Sequence, residues 1–264
     1  MRTMLAISNI AWSADQDKDV YELMKKYGFS GLEIAPTRIF PVAPYEDLNA
    51  AAVWAEMLRN EYGFSVPSMK SIWYGRQEKV FGTDEERRSL IDYTKKAIDF
   101  AEAIGCKNLV FGCPRNRFLP DGADPQIAVA FFSELSEYAV NHKIVLGMEA
   151  NPPIYNTNYI NTTAQAMELV EKVNSAGFKI NLDVGTMIEN GESVSLLKGK
   201  THLINHVHVS EPGLKKIQKR LLHEELSELL KKEKYQGYVS IEMGKREELP
   251  EIEEVCAYIR EVFA

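Results

Sequence analysis

Cysteine is scarce in this 264-residue sequence: Cys106, Cys113 and Cys256 are the three present, and no CxxC pair occurs. An odd number of scattered cysteines argues against a disulfide framework and is typical of reduced thiols. No run of about 18 apolar residues is present, which argues against a membrane-spanning helix. The N-terminal stretch MRTMLAISNIAW has no clear small-residue cleavage site, so we interpret it as a strand and expect a cytoplasmic protein.

Positive charge is also in short supply. Lys and Arg total 31 against 38 Asp and Glu, for a formal net charge of −7. This balance argues against general nucleic-acid or anionic-membrane partners. The GxGxxG and GxxxxGK[ST] loops of the usual nucleotide-binding sites are absent. No Pro/Gly/Ser-rich linker or break in composition divides the chain, so we expect one domain over residues 1–264. The oligomeric state stays open, a homodimer included.

Short β-rich runs alternate with longer amphipathic runs from end to end. The eight strand candidates are Leu5–Trp12, Gly31–Ala35, Ser65–Ile72, Asn108–Cys113, Ile144–Asn151, Lys179–Val184, Ile204–Ser210 and Tyr238–Met243. The runs between them repeat apolar residues at three and four, as a helix face requires, and the sixth helix is placed near Ser193–Lys200. Thr83 and Glu86 form a predicted capping box, and several helical runs end in glycine, at Gly28, Gly63, Gly105 and Gly177. Eight such β-α units favour an α/β fold with a closed (β/α)8 TIM barrel over an open doubly wound sheet.

Each of the last four predicted strands has one polar or small side and one apolar side. Because helices must cover the outside of the barrel, the polar sides point inward. They place Glu149, Asp183, His208 and Glu242 near the carboxyl ends of their strands, where active sites of such barrels form. Three carboxylates gathered there would repel one another unless one held a proton or a cation neutralised them. One divalent metal ion bound by these four residues is the simplest solution.

Two histidines share the inward side of the seventh strand. His208 lies nearer the carboxyl end and is the predicted metal ligand. His206 lies one layer deeper, and we interpret it as a buried core histidine.

At these positions the sequence resembles the sugar isomerase/epimerase superfamily with a xylose-isomerase-like barrel, which includes ketose 3-epimerases, hydroxypyruvate isomerase, inosose dehydratase and endonuclease IV. The resemblance covers the whole chain and rests on SNIAW, GLEIAP, VFGCPRNR, MEANPPIYNTNYINT, LDVGTM, HVHVSEPGL and YVSIEM. It implies a metal, often manganese, on Glu149, Asp183, His208 and Glu242; zinc, cobalt and magnesium are the alternatives. It also implies that Glu149 and Glu242 act as the acid/base pair on opposite faces of the substrate. With five histidines in the chain, the three-zinc site of endonuclease IV fits poorly.

Two positions depart from the epimerase pattern. Thr186 stands where the epimerases usually carry a histidine, and Leu214 where they usually carry an arginine, whereas Glu211 is kept. The resemblance therefore implies a small-molecule sugar or sugar derivative other than a plain free ketohexose.

The expected chemistry is proton transfer. A metal that chelates a carbonyl oxygen and the adjacent hydroxyl acidifies the neighbouring C–H and stabilises an enediolate, and a carboxylate removes the proton. Return of the proton to the other face gives epimerisation, and return to the neighbouring carbon gives isomerisation. A dehydratase or lyase on the same site and a non-catalytic sugar-binding protein remain as alternatives.

Two arginines and an acidic residue are further substrate-binding candidates. Arg115 and Arg117, which follow the fourth strand, are interpreted either as a clamp for a carboxylate or phosphate or as surface charges. Glu33, at the end of the second strand, is expected to bind a hydroxyl or to pair with Lys70 or an arginine.

Three further side chains are weighed as parts of the substrate pocket. Trp12 and Tyr155 are candidates for an apolar wall against a sugar ring, or for the core. His223 opens the seventh helix, where it either faces the mouth of the barrel or is exposed.

Overall fold

The computed structural model describes residues 3–264. Its strands are β1 (Met4–Ser8), β2 (Gly31–Glu33), β3 (Ser68–Met69), β4 (Asn108–Phe111), β5 (Val145–Met148), β6 (Phe178–Asp183), β7 (Ile204–Val209) and β8 (Tyr238–Ile241). All are parallel, in the order β2-β1-β8-β7-β6-β5-β4-β3. Parallel bridges from Gly31 to Ser65 and from Ile34 to Met69 join β2 to the β3 segment. The predicted (β/α)8 barrel is confirmed.

Helices connect successive strands on the outside of the barrel. They are α1 (Asp17–Tyr27), α2 (Pro36–Ile39), α3 (Leu48–Met57), α4 (Asp84–Ile104), α5 (Gln126–Asn141), α6 (Thr163–Val173), α7 (Val184–Asn190), α8 (Leu221–Lys232) and α9 (Leu249–Phe263). The placement of the sixth helix near Ser193–Lys200 is wrong, since that stretch holds a 3-10 turn at Val194–Leu197. The helix α7 begins directly after β6 instead, because the Asp183 side chain caps it by accepting the Thr186 N–H at 2.8 Å.

The predicted helix ends are mostly confirmed. Thr83 and Glu86 form the capping box at the start of α4, with N–H to side-chain distances of 2.9 and 3.2 Å. Three of the four glycines adopt the left-handed conformation after a helix, at Gly28, Gly63 and Gly105. Gly177 is the exception, because α6 ends earlier, at a left-handed Asn174. A Cβ at Gly177 would lie 2.3 Å from the Ser136 carbonyl oxygen, so close packing against α5 explains that glycine.

The apolar sides of the strands pack outward against the helices. Leu146, Leu182, Val207 and Val239 are at most 1% exposed. The inward side is polar, and Gly147 makes room there, since a Cβ on it would lie 2.8 Å from Asn108 Oδ1. Within residues 3–264, none of the helices has both the length and the apolar character that crossing a membrane would require.

Candidate functional site

Four neighbouring strands, β5 to β8, bring the predicted ligand residues together at the carboxyl end of the barrel. Glu149, Asp183, His208 and Glu242 each offer a nitrogen or oxygen ligand atom, and these four atoms all lie within 4.8 Å of one another. Each of the four residues is at most 8% exposed. Glu149 and Glu242 directly follow their strands and keep the sheet hydrogen bonding, with N–H bonds of 3.1 Å to Phe111 and 2.9 Å to Val209.

The imidazole of His208 is held from both sides. Its Nε2 lies 2.7 Å from Glu33 Oε2, while its Nδ1 lies 2.9 Å from Glu149 Oε1 and 3.3 Å from Glu242 Oε2. Burial alone would lower the pKa of His208, but Glu242 and Glu33 outweigh it and raise that pKa well above its usual value. His208 Nδ1 and the two carboxylates, together with Asp183, supply a set of ligand atoms that fits a divalent metal ion.

Asp183 completes the candidate site from the end of β6. Its Oδ2 accepts the Thr186 backbone N–H at 2.8 Å, and Oδ1 accepts the Ser210 hydroxyl. Burial, Glu149 and Glu242 raise the pKa of Asp183 to about 7. Three carboxylates and one imidazole therefore converge at a cost in charge repulsion, and this donor set fits a divalent cation.

His206 lies outside this group of four. Its Nε2 is 3.1 Å from Glu33 Oε2, and its ring is edge-on to His208 with centroids 5.3 Å apart. Glu33, which is fully buried, therefore contacts the two histidines, and its ion pairs are with them rather than with Lys70 or an arginine. Lys70 directly follows β3 and pairs instead with Glu242 Oε1.

Arg117 does not face the mouth of the barrel as a substrate clamp would. It is 0% exposed, and it donates to the Glu149 carbonyl and to Asn151 Oδ1, each at 2.8 Å. Asn151 in turn donates to Glu149 Oε2 at 3.2 Å. Arg117 therefore supports the Glu149 carboxylate through Asn151, while Arg115 is exposed and its carbonyl accepts a hydrogen bond from Lys79 at 2.7 Å.

Asn151 and Asn181 are site residues that the sequence analysis did not single out. Asn181 Nδ2 lies 2.8 Å from Glu149 Oε1 and 3.1 Å from His208 Nδ1. Asn181 lies two residues before Asp183 on β6, and Asn151 lies two residues after Glu149, within the predicted strand Ile144–Asn151 but beyond the observed end of β5. The alternation that selected the ligands therefore carried the signal for both.

Two candidates link loops around the carboxyl end of the barrel. The hydroxyl of Tyr155 accepts the Gly213 N–H at 2.9 Å, which ties the loop after β5 to the loop after β7. Glu211, 4% exposed, accepts two hydrogen bonds from Arg220 at 2.7 and 2.6 Å.

Trp12 and His223 are both buried and hydrogen-bonded to neighbouring side chains. Trp12 is 2% exposed and donates from Nε1 to Asp17 at 2.7 Å. His223 is fully buried, which excludes the exposed alternative, and its Nδ1 lies 3.0 Å from the Tyr258 hydroxyl. Burial lowers the pKa of His223 to about 4.

The parallel eight-stranded barrel places the protein among the TIM barrels, and a comparison with family models gives the same class. Residues 21–262 match the family described as xylose isomerase-like TIM barrel, and the chain belongs to that family. A search of curated proteins finds no match.

Solved structures with a similar fold include several sugar epimerases. The apo 3-keto-D-glucoside 4-epimerase from E. coli has a TM-score of 0.75 at 20% identity, over 98% of this chain and 100% of its own. The D-psicose 3-epimerase from Clostridium cellulolyticum H10, solved with D-tagatose, has a TM-score of 0.77 at 15% identity, over 98% and 99% of the two chains. An L-ribulose 3-epimerase has a TM-score of 0.74 at 14% identity, over 99% and 93%. At these low sequence identities, the structural similarity shows that the proteins share a fold.

Proposed function

We propose that this protein is a divalent-metal-dependent isomerase or epimerase of a sugar or sugar derivative. The observation that carries the proposal is the convergence of Glu149, Asp183, His208 and Glu242 within 4.8 Å at the carboxyl end of the barrel. The similar folds of solved 3-epimerases and of a 4-epimerase support the sugar class.

The four converging residues would hold one divalent ion, for which we propose manganese, with zinc, cobalt and magnesium as alternatives. When bound, the ion would polarise the substrate carbonyl and so acidify the neighbouring C–H bond. Glu33 assists by holding His208 Nε2, which leaves Nδ1 directed at the carboxylates.

Glu149 and Glu242 would exchange the proton with the substrate carbon. They directly follow β5 and β8, three strands apart around the barrel, so they would approach a bound sugar from different sides. Asn181 and Asn151 hold the two oxygens of Glu149, at 2.8 and 3.2 Å. One carboxylate removes the proton and the other returns it, which inverts one carbon centre.

The surroundings of the site favour a sugar derivative over a free ketohexose. Thr186, at the usual histidine position, directs its hydroxyl to the Ala150 carbonyl at 2.8 Å and holds Asp183 through its N–H. Leu214 supplies no charge at the usual arginine position. Glu211, neutralised by Arg220, and Tyr155 are the proposed polar contacts for the substrate.

Hydrogen exchange in deuterated water tests the proposal. The manganese-loaded protein is incubated with keto-sugars and 3-keto-glucosides, and incorporation of deuterium at carbon is followed by NMR. We expect Glu149→Gln and Glu242→Gln each to lose at least about 10²-fold in exchange rate, the usual scale for a lost general acid or base, while some metal stays bound. Glu171→Gln, on the exposed side of α6, is the matched control.

The outcomes separate the alternatives. Near wild-type exchange by either site variant, with metal present, would refute the two-glutamate mechanism. A product that has lost water would identify a dehydratase, and a sugar that binds without exchange would identify a binding protein.

A further inference from the structure

Lys70 brings a second positive charge to the acidic interior of the barrel. Its backbone N–H bonds to the Ile34 carbonyl at 2.9 Å, which fixes the residue at the carboxyl end of β3. Its side chain, 10% exposed, reaches Glu242 Oε1 across the barrel. Burial alone disfavours a charged lysine, whereas the Glu242 carboxylate in contact with it favours one.

The two oxygens of Glu242 have different partners. Oε2 lies 3.3 Å from His208 Nδ1, on the side of the four converging ligands, whereas Oε1 faces Lys70. An ammonium group has three donors, and Glu242 takes one of them. The acidic side chains of the interior, Glu33, Glu149, Asp183 and Glu242, carry up to four negative charges, and one divalent ion leaves two of these uncompensated. Lys70 can therefore remain charged beside a bound ion.

We propose that Lys70 is a catalytic residue that donates a hydrogen bond to the substrate oxygen on which negative charge develops during proton removal. This role rests on the proposed function and adds a second electrophile to it. A cation fixed in a buried site stabilises developing charge far more than one in water, because little solvent screens it. The lysine keeps its proton throughout, and Glu149 and Glu242 exchange the substrate proton.

Two binding measurements test the role without a known substrate. Manganese affinity is measured by competition with a chelating dye. Affinity of the manganese-loaded protein for glycolohydroxamate, a planar oxyanion that resembles an enediolate, is measured by calorimetry. The variants are Lys70→Met and Lys70→Arg, and the matched control is Lys245→Met, which removes an exposed lysine from the loop after β8.

We expect Lys70→Met to bind manganese at least as tightly as wild type, because it lacks the cation that competes for Glu242. It should bind glycolohydroxamate at least about tenfold more weakly, the scale of one lost charged hydrogen bond. Lys70→Arg keeps the charge and should retain most of the hydroxamate affinity, and Lys245→Met should change neither. Should Lys70→Met fail to fold, Lys70→Gln gives the same comparison, since it removes the charge and keeps a donor to Glu242.

Equal hydroxamate affinity in wild type and Lys70→Met would overturn the proposal. So would no hydroxamate binding by wild type, or a loss of manganese affinity in a folded Lys70→Met, which would assign Lys70 a structural role. Failure of the proposed function is seen separately, as the absence of carbon-bound hydrogen exchange by the wild-type protein on every sugar tested.

Discussion

Both ring nitrogens of His208 face carboxylates, but on different sides of the ring. Nε2 meets the fully buried Glu33 at 2.7 Å, and Nδ1 faces Glu149 and Glu242. A buried carboxylate on one nitrogen fixes the tautomer and the orientation of the ring, and this raises the basicity of the other nitrogen. The geometry therefore favours Nδ1 as the metal ligand, with Glu33 as its support.

His208→Ala is expected to lose most of the metal affinity, and His206→Ala to lose little. His208 supplies one of four ligands, whereas His206 contacts Glu33 and lies outside the group. Metal content after dialysis, with circular dichroism to check the fold, measures both variants. Equal metal loss in two folded variants would mean that His206 is a ligand or is essential to the position of His208.

Gly112, in the loop after β4, leaves space for the Glu149 carboxylate because glycine has no side chain. A Cβ at Gly112 would lie 2.8 Å from Glu149 Oε2 and 3.6 Å from Asn151 Oδ1. Because the nearest atom is the end of a flexible side chain, the fold can absorb the added methyl group while the carboxylate moves. Gly112 thus keeps space open where β4 and β5 end.

We expect Gly112→Ala to fold normally and to bind manganese at least about tenfold more weakly. Changes to the residues around metal ligands usually reduce metal affinity by about 10- to 100-fold. Competition with a chelating dye measures the affinity. Gly122→Ala, further along the same connection between β4 and α5 and with no atom within 4 Å of the added Cβ, controls for the change of residue, although its positive φ adds local strain. Wild-type affinity in Gly112→Ala would show that Glu149 is not confined as the geometry implies.

The packing of α8 against α9 contains a buried, neutral histidine. His223 sits in the first turn of α8 and bonds Tyr258 on α9 at 3.0 Å. Its pKa is lowered by burial to about 4, against 6.5 for the exposed group. Between these values the unfolded chain binds a proton that the folded protein does not. The contribution of neutral His223 to the free energy of unfolding is therefore fully present above pH 6.5 and is lost as the pH falls toward 4.

His223→Gln should remove this part of the pH dependence. The wild-type free energy of unfolding should fall relative to the variant by about 3 kcal/mol at most between pH 7 and pH 4, at roughly 1.4 kcal/mol per unit of pKa. Urea unfolding at several pH values measures the difference, in which other titrating groups cancel. Parallel curves for the two proteins would contradict the buried neutral state of His223.

Burying several acidic side chains together lowers the stability of the metal-free molecule. Glu149, Asp183 and Glu242 are all buried together, and the pKa of Asp183 is raised to about 7 by burial and by its two neighbours. An ionised Asp183 therefore destabilises the metal-free fold above neutral pH. A cation that binds the folded state alone reverses this cost through mass action.

Manganese at about 100 times its Kd should raise the melting temperature by roughly 5–10 °C, from about 2.7 kcal/mol of linkage and about 2–4 °C per kcal/mol. Asp183→Asn at pH 8 should melt a few degrees above metal-free wild type, because it removes one of the repelling charges, and should gain little from manganese. Differential scanning fluorimetry measures both shifts. If none of the four metals changes the melting temperature of the wild-type protein, the proposed metal site is contradicted.

The sequence by itself determined the barrel and the four converging residues. The alternation of inward and outward residues on β5 to β8 is local, and the carboxyl ends of barrel strands meet by geometry alone, so Glu149, Asp183, His208 and Glu242 could be placed together. Tertiary structure decided which partners those residues have. Arg117 donates to the Glu149 carbonyl, Lys70 pairs with Glu242, and Glu33 contacts His208, over separations of 32, 172 and 175 residues. A side chain's partner across a barrel depends on register, burial and rotamer, and no spacing in the sequence encodes these.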